Sequence, residues 1–419
     1  MKEIRAIILA AGKGTRMKSS TPKVLHTVCG EPIIQYVLDV AKEVGSKKIY
    51  AVLGHGSSQV REYLGTDIYT VEQQKLLGTA DAVRCVEKQL NNYKGDVLIL
   101  CGDTPLLRKS VIKNILRKHK KTNAVCTFLT AVVHNPDGYG RIIRGDSGDV
   151  VAIREDKDAV GYEREIAEIN VGVYCFKSAD LFKALKQIKL NPKKKEFYLT
   201  DIIEIFYENK VKIESVETED STEGLGINTR NDLAVAEGIL RQRILKELML
   251  SGVTIIDPKT TFIDGGVKIG EDTVIRPFTV IEKDVTIGKK CAVGPFCRIR
   301  SGSKIADHVQ LGNFTEVSRS KVGPNTIMKH FGYLGDSLVG ANVNIGAGAV
   351  TANYDGQAKN VTKISDGAFV GSDSVLIAPV RVGKNAYIGA GSVVTKGKSI
   401  PDSSIAVGVP AKVISKKKK

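Results

Sequence analysis

The chain has no tryptophan and only 6% aromatic residues, and it holds no apolar run long enough to cross a bilayer, so membrane insertion as a helix is excluded. Its seven cysteines are an odd number without a Cys-x-x-Cys pair. That argues against a disulfide framework or a zinc site and for reduced thiols. Acidic residues are in deficit: 46 against 62 Lys and Arg leave a formal net charge of +16. The excess invites a nucleic-acid reading, but the densest lysine runs are short, at residues 193–195 and 416–419. With few aromatics to stack on bases and no nucleic-acid motif, they read as solvated surface and a disordered tail, and no nucleic-acid partner is expected. Attraction of anionic small molecules is the simpler use of the charge. No leader of the secretory kind precedes the first strand near Ile4, so the expected location is the cytoplasm. A length of 419 residues allows two or three domains.

What the chain does have begins at residues 4–17. Ile4-Arg5-Ala6-Ile7-Ile8-Leu9-Ala10 reads as a strand buried on both faces, and it breaks into Ala11-Gly12-Lys13-Gly14-Thr15-Arg16. Two glycines let the backbone turn and bring its N–H groups to an anion, with Lys13, Arg16 and Lys23 adding charge. A triphosphate fits such a cradle. The spacing is not Walker A, and Gly12-x-Gly14 has no third glycine at the Rossmann position. Up to about residue 228, apolar strands alternate with helical patterns, which implies a largely parallel sheet with helices on both faces and a ligand beyond the strands' carboxyl ends. Asp103, at the end of one such strand, can hold Mg²⁺ between phosphate oxygens or can satisfy a turn; alone it decides nothing. Gln73 and the 77–82 loop offer groups that could read a base edge.

Residues 229–250 carry Leu233, Ala236, Ile239, Leu240, Ile244 and Leu248 at helical spacing, an amphipathic connecting helix that should end near Gly252. After it an aliphatic residue recurs every six positions, from Ile263 through Ile269, Ile275 and onward to Val317. The repeat resumes after small phase shifts at Val322, Met328 and Leu334, and again from Val370 to Val394. This is the period of a parallel β-helix in which three hexapeptides make a coil and residues eighteen apart stack. Solenoids of this kind gain stability by association, and a homotrimer is expected.

Taken in order, Leu9-Ala10-Ala11-Gly12-Lys13-Gly14-Thr15-Arg16-Met17, Pro22-Lys23-Val24-Leu25, Gln73-x4-Gly78-Thr79, Gly102-Asp103-x-Pro105, Gly138-Tyr139-Gly140-Arg141, Glu155-x-Lys157-Asp158, Glu168-Ile169-Asn170, Glu196-x-Tyr198-x-Thr200-Asp201 and Gly226-Ile227-Asn228 resemble the bacterial bifunctional UDP-N-acetylglucosamine pyrophosphorylase / glucosamine-1-phosphate acetyltransferases. The resemblance implies an α/β chain in four parts. These are a Rossmann-like nucleotidyltransferase domain (1–228), a connecting helix (229–251), a left-handed β-helix acyltransferase-like domain (252–411) and a basic tail (412–419). It implies that Leu9, Ala11, Gly12, Gly14, Lys23, Gln73, Gly78 and Thr79 bind UTP, with Arg16 and Lys23 catalytic. Gly140, Glu155 and Asn170 would hold N-acetylglucosamine-1-phosphate, and Asp103 and Asn228 would hold Mg²⁺. For the β-helix, His330 would be the base that deprotonates glucosamine-1-phosphate, held by Arg300, Tyr333, Asn344 and Lys359. Asn353 would assist His330, beside an acetyl-CoA cleft lined by Ala347, Ser372 and Ala390. A structural stalk, or a different acceptor, remains the competing reading of the β-helix, and a non-catalytic nucleotide-binding assembly protein that of the whole.

Two departures concern the second half. The family's paired cations for the acceptor phosphate lie in Arg-x-Arg-Pro-Gly and a later Val-Lys. Here the segments read Arg298-Ile299-Arg300-Ser301-Gly302 and Val317-Ser318-Arg319. Arg300 and Ser318 should stack on one face, so Ser318 removes a charge, and strand alternation should point Arg319 to the other side. The end of the chain, Val407-Gly408-Val409-Pro410, also lacks the family's Ser-Arg.

Overall fold

The computed structural model describes residues 3–416, in two compact units that meet between Glu237 and Gly238. In the first unit a nine-stranded sheet has a seven-strand path in the order Ile213–Glu217, Cys126–Val132, Glu168–Lys177, Asp96–Cys101, Ile4–Ala10, Ser46–Leu53, Tyr69–Glu72. Every neighbouring pair is parallel except the two made by Glu168–Lys177. The hairpin Arg141–Arg144 and Val150–Arg154 attaches to that antiparallel strand. The apolar run of Ile4–Ala10, interrupted only by Arg5, has its cause in this topology. Ala6 and Ile8 pack with Ile34, Val37 and Leu38 of the Ile33–Glu43 helix on one face. Ile7 packs on the other with Val83, Leu181 and Ile202. Each such buried Ile, Leu or Val side chain contributes roughly 1.5–3 kcal/mol.

The central strand pairs Leu9 with Cys101, and the Gly102 N–H donates to the Leu9 carbonyl at 2.9 Å. The loop after Ala10 and the one after Cys101 therefore leave the sheet at the same edge. A Cβ on Gly102 would sit 3.0 Å from the Leu9 carbonyl oxygen, so this close approach favours glycine.

The helix Arg230–Leu250 begins in the first unit and ends in the second, where Leu240 and Leu245 are buried. Beyond it three parallel sheets of ten, eight and eight strands run side by side, each strand two to five residues long, apart from one antiparallel pair at the chain's end. Successive coils pair at an eighteen-residue offset, Val274 with Ala292 and Ala292 with Gln310. The expected inward residues form one continuous core, with Ile269 only partly buried. The phase shifts are shortened corners. Lys304 pairs with Lys321 and Lys321 with Leu338, offsets of seventeen, so the turns through Arg319 and Asp336 each lack one residue. In the next coil the same corner is an excursion between Val350–Ala352 and Thr362–Ile364.

Residues 412–416, expected in the basic tail, instead form a strand, Lys412–Lys416, antiparallel to Ser404–Val407. The rest of the tail, 417–419, lies outside the described residues. On another edge of the coil Phe278, Phe296, Phe314 and Phe331 are each about half exposed, and the first three stack with ring centroids 4.8 and 5.0 Å apart.

Candidate functional site

A cavity of about 610 Å³ opens at the carboxyl edge of the first unit's sheet. Leu9, Ala11, Gly12, Lys23, Gln73, Gly78, Thr79, Asp103 and Glu155 all line it. Gly12 is exposed, and nothing lies within 4 Å of where its Cβ would be, which leaves its backbone open to an anion. Gly14 has φ +60, and a Cβ there would meet Lys23 Cβ at 2.8 Å, so the turn presses directly on the lysine. Arg16 stands exposed in the short Thr15–Met17 helix beside the loop.

Lys23 organises the mouth. Its ammonium donates to Asp103 Oδ2 at 2.5 Å and Asn228 Oδ1 at 3.2 Å, and the Ile227 N–H donates to the Asp103 carbonyl at 2.9 Å. The two expected metal ligands thus already converge on one cation. A carboxylate and an amide oxygen are the hard donors Mg²⁺ prefers. Among the described residues no group of three or more His, Cys, Asp and Glu gathers to hold a metal, so a divalent ion here would complete its shell from phosphate oxygens and water.

Deeper in, Gln73 is buried and its amide N–H groups donate to the Gly78 carbonyl at 3.1 Å and Asp81 at 2.8 Å. Its carbonyl is left as an acceptor, the group an imide N–H of a base requires. Thr79 Oγ1 accepts from the Leu199 N–H at 2.9 Å, and Gly78, at φ +101, lies against Phe197. The 196–199 segment is thereby fastened over the loop. Around the proposed sugar pocket, the Asn170 N–H donates to the Gly140 carbonyl at 2.8 Å. The Asn170 amide donates to Tyr174 Oη at 2.7 Å, and Thr200 donates to Glu155 at 2.8 Å. Burial lifts Glu155 above the usual carboxylate range, and neighbouring Asp158 and Glu196 add to it. Burial, then Glu155 and Glu204, push Asp201 up to about 6.

Glu196 and Tyr198, which the resemblance leaves without a role, also line the cavity. Their signal in the sequence is the motif Glu196-x-Tyr198-x-Thr200-Asp201.

In the second unit the expected residues fall on two edges of the coil. His330, exposed, follows the strand Ile327–Met328. Ala347, Ser372 and Ala390 follow the strands stacked above it. The backbone ties this edge together: Gly348 N–H to the Phe331 carbonyl at 2.7 Å, Asp373 N–H to Ala347 at 2.7 Å, Gly391 N–H to Ser372 at 2.8 Å. His330 therefore stands at the head of a column of small side chains. Asn344, half-buried, lies in a strand leading to that edge. Tyr333 projects from the next face, where Arg300 pairs with Glu316 at 3.2 Å. On the far edge Arg319 makes a two-pronged ion pair with Asp336, at 2.7 and 2.8 Å. The amide of Asn353 donates to that same carboxylate, so Asn353 is engaged with Asp336 rather than with His330. Lys359 is exposed in the excursion, and its charge also acts on Asp336.

The expectation for Arg319 fails at this corner. The strand ends at Ser318 and Arg319 is left-handed, with φ 48, so strand alternation no longer governs its direction. Its guanidinium folds back to donate to Ser318 Oγ at 2.9 Å.

Residues 5–222 match the nucleotidyl transferase family model, and residues 266–301 and 362–396 match that of bacterial transferase hexapeptide repeats. The bifunctional protein GlmU of Geobacillus sp. (strain WCH70) is 44% identical over 96% of this chain and 94% of its own. That of Geobacillus thermodenitrificans is 44% identical over 96% and 95%, and that of Acetivibrio thermocellus 42% identical over 97% and 95%. The chain belongs to the GlmU family of bifunctional proteins. As a GlmU-type protein it is a transferase whose nucleotidyltransferase half holds the cavity at the sheet edge, and whose hexapeptide half is a left-handed β-helix carrying the His330 column. No helix among the described residues is long and apolar enough to cross a membrane.

Proposed function

We propose that the first site transfers a uridylyl group from UTP to N-acetylglucosamine-1-phosphate, giving UDP-N-acetylglucosamine and pyrophosphate. The second site, on this reading, acetylates glucosamine-1-phosphate from acetyl-CoA. The observation that carries the first half is the convergence of Asp103 and Asn228 on the Lys23 ammonium beneath the Gly12 loop. In the first reaction a phosphate oxygen of the sugar attacks the α-phosphorus, and the bond to the bridging oxygen breaks as pyrophosphate leaves. Both reactants are anions, so the work falls to positioning and charge: Lys13, Arg16 and Lys23 offset the phosphates, Gln73 orients the base, and Glu155 and Asn170 fix the sugar hydroxyls. Mg²⁺, held by Asp103 and Asn228, would supply further neutralisation of the developing negative charge.

For the second reaction His330 accepts a proton from the amine as the new N–C bond forms and the C–S bond of the thioester breaks; the coenzyme leaves as a thiolate, which takes up a proton from the imidazolium or from water to become the thiol. The column of Ala347, Ser372 and Ala390 leaves room for the coenzyme beside it. The protein works on this reading as a homotrimer, supported by the exposed phenylalanine column, whose apolar area a second copy would cover. Seven free cysteines agree with the reducing cytoplasm.

One preparation of the full chain tests both halves. Pyrophosphate should appear with UTP, N-acetylglucosamine-1-phosphate and Mg²⁺. Thiol release with acetyl-CoA and glucosamine-1-phosphate should drop about 10²–10⁴-fold in His330→Ala while pyrophosphate release is kept. Turnover of dTTP with glucose-1-phosphate in place of the first pair would overturn the base and sugar assignments.

A further inference from the structure

The second acceptor cation that Ser318 cannot supply comes from the residue after it: we propose that Arg319 binds the phosphate of the amino-sugar acceptor and sets the preference for phosphorylated over free sugar. The inference rests on the second site being an amino-sugar acetyltransferase.

The shortened corner is the reason Arg319 can act on this face. Left-handed residues turn the full-length corners too, at Asp284 and Gly302, each three residues after an inward isoleucine. With one residue missing between Ile305 and Val322, the left-handed position falls two residues after Val317, on Arg319, and its side chain returns over Ser318. Ser318 is fully buried, at 0% exposure. A lysine there would need the space in which Arg319 now lies, so the small residue and the folded-back guanidinium are complementary. Tyr333 lies near enough to act electrostatically on the same guanidinium, which places the charge in the neighbourhood of an expected acceptor residue. Arg300 lies on the preceding coil, its backbone N–H donating to the Val317 carbonyl at 2.8 Å and its guanidinium paired with Glu316 at 3.2 Å.

Arginine suits this arrangement where lysine would not. Nε and Nη2 are fixed on Asp336 and Nη1 donates to Ser318, which leaves one N–H on each Nη, and the side chain keeps 35% of its surface exposed. A planar fork with five N–H donors can hold a carboxylate along one edge and offer its remaining donors to a phosphate, which a point charge cannot do with the same fixed geometry. Asp336 is the anchor that orients it, and Asn353 steadies the anchor from the coil above.

Arg319→Ala in the full chain should raise the KM for glucosamine-1-phosphate by on the order of tenfold or more, the loss of a charge-assisted contact. The KM for acetyl-CoA and the slow turnover of unphosphorylated glucosamine should be unchanged, and Arg319→Lys should recover part of the loss. Moving the charge back by one position, with Ser318→Lys and Arg319→Ser combined, should rescue the KM. An equal loss for glucosamine and its phosphate, or a kcat loss without a KM change, would mean that Arg319 only braces Asp336 and would overturn the proposal. Calorimetric titration with glucosamine-1-phosphate, the first site filled with UDP-N-acetylglucosamine, separates this from failure of the underlying reading. If the wild type releases no thiol with any amino sugar, the acetyltransferase reading falls by itself. Unchanged heat in Arg319→Ala overturns the phosphate role, and lost heat upholds it.

Discussion

The two halves build their sites in opposite ways. In the first, Lys23 reaches partners 80 and 205 residues away, and the cavity exists only once central strands, loop and closing segment have all formed. In the β-helix, Arg319 and Asn353 each meet Asp336 at a separation of 17, one coil up or down. A site assembled across a sheet depends on segments far apart in the chain, whereas a site on a solenoid is a local column that needs only its neighbouring coils.

The comparison can be broken most sharply at Asp103. Asp103→Ala should lower uridylyl transfer by roughly two to three orders of magnitude and leave acetyl transfer untouched, with pyrophosphate and thiol measured on the same sample. A matching fall in both would show the halves to be coupled. Ile299, fully buried in the β-helix, tests independence through stability: Ile299→Ala should cost about 2–5 kcal/mol. Denaturant unfolding should show the β-helix transition moving to lower concentration while nucleotide binding survives. A smaller effect concerns the ammonium now between Asp103 and Asn228. Lys23→Met frees both oxygens, and Mn²⁺ affinity without nucleotide should rise about tenfold, the lower end of the worth of a charge-assisted hydrogen bond. Paramagnetic resonance of Mn²⁺ reads this directly, and unchanged or weaker affinity would refute it.

The smallest effect is in acid. Asp201 titrates at about 6 in the folded chain against about 3.9 unfolded, so the folded state holds its proton more tightly. Its contribution to stability is complete below pH 4 and is lost as pH rises towards 6. The thermal midpoint of the first half should decline over that window, and Asp201→Asn should flatten the decline.

The β-helix was readable because each inward position repeats its environment every six residues, so eighteen aliphatic residues from Ile263 to Val394 reported one geometry many times over. The phosphate loop was readable because a strand, two glycines and three cations lie within twenty residues. What could not be read was direction at irregular points. Strand alternation does not extend to Arg319, one residue past where the strand stops, and the five-residue step from Val317 to Val322 marks that corner as short. The contact of the Asn353 amide with Asp336 joins successive coils and is not legible in linear order. The strand Lys412–Lys416 carries the β-branched pair Val413-Ile414, a strand signal that the lysine run beginning at residue 416 overshadows.

The shortened corners also make the β-helix adjustable without disturbing its interior. A residue added or removed at a corner changes where an outward side chain comes to rest, yet the next aliphatic residue still points inward because the turn absorbs the difference. Corner length is therefore a coordinate along which acceptor preference can drift while the fold is conserved, and single-residue insertions between Ser318 and Lys321 are the steps by which such drift would proceed.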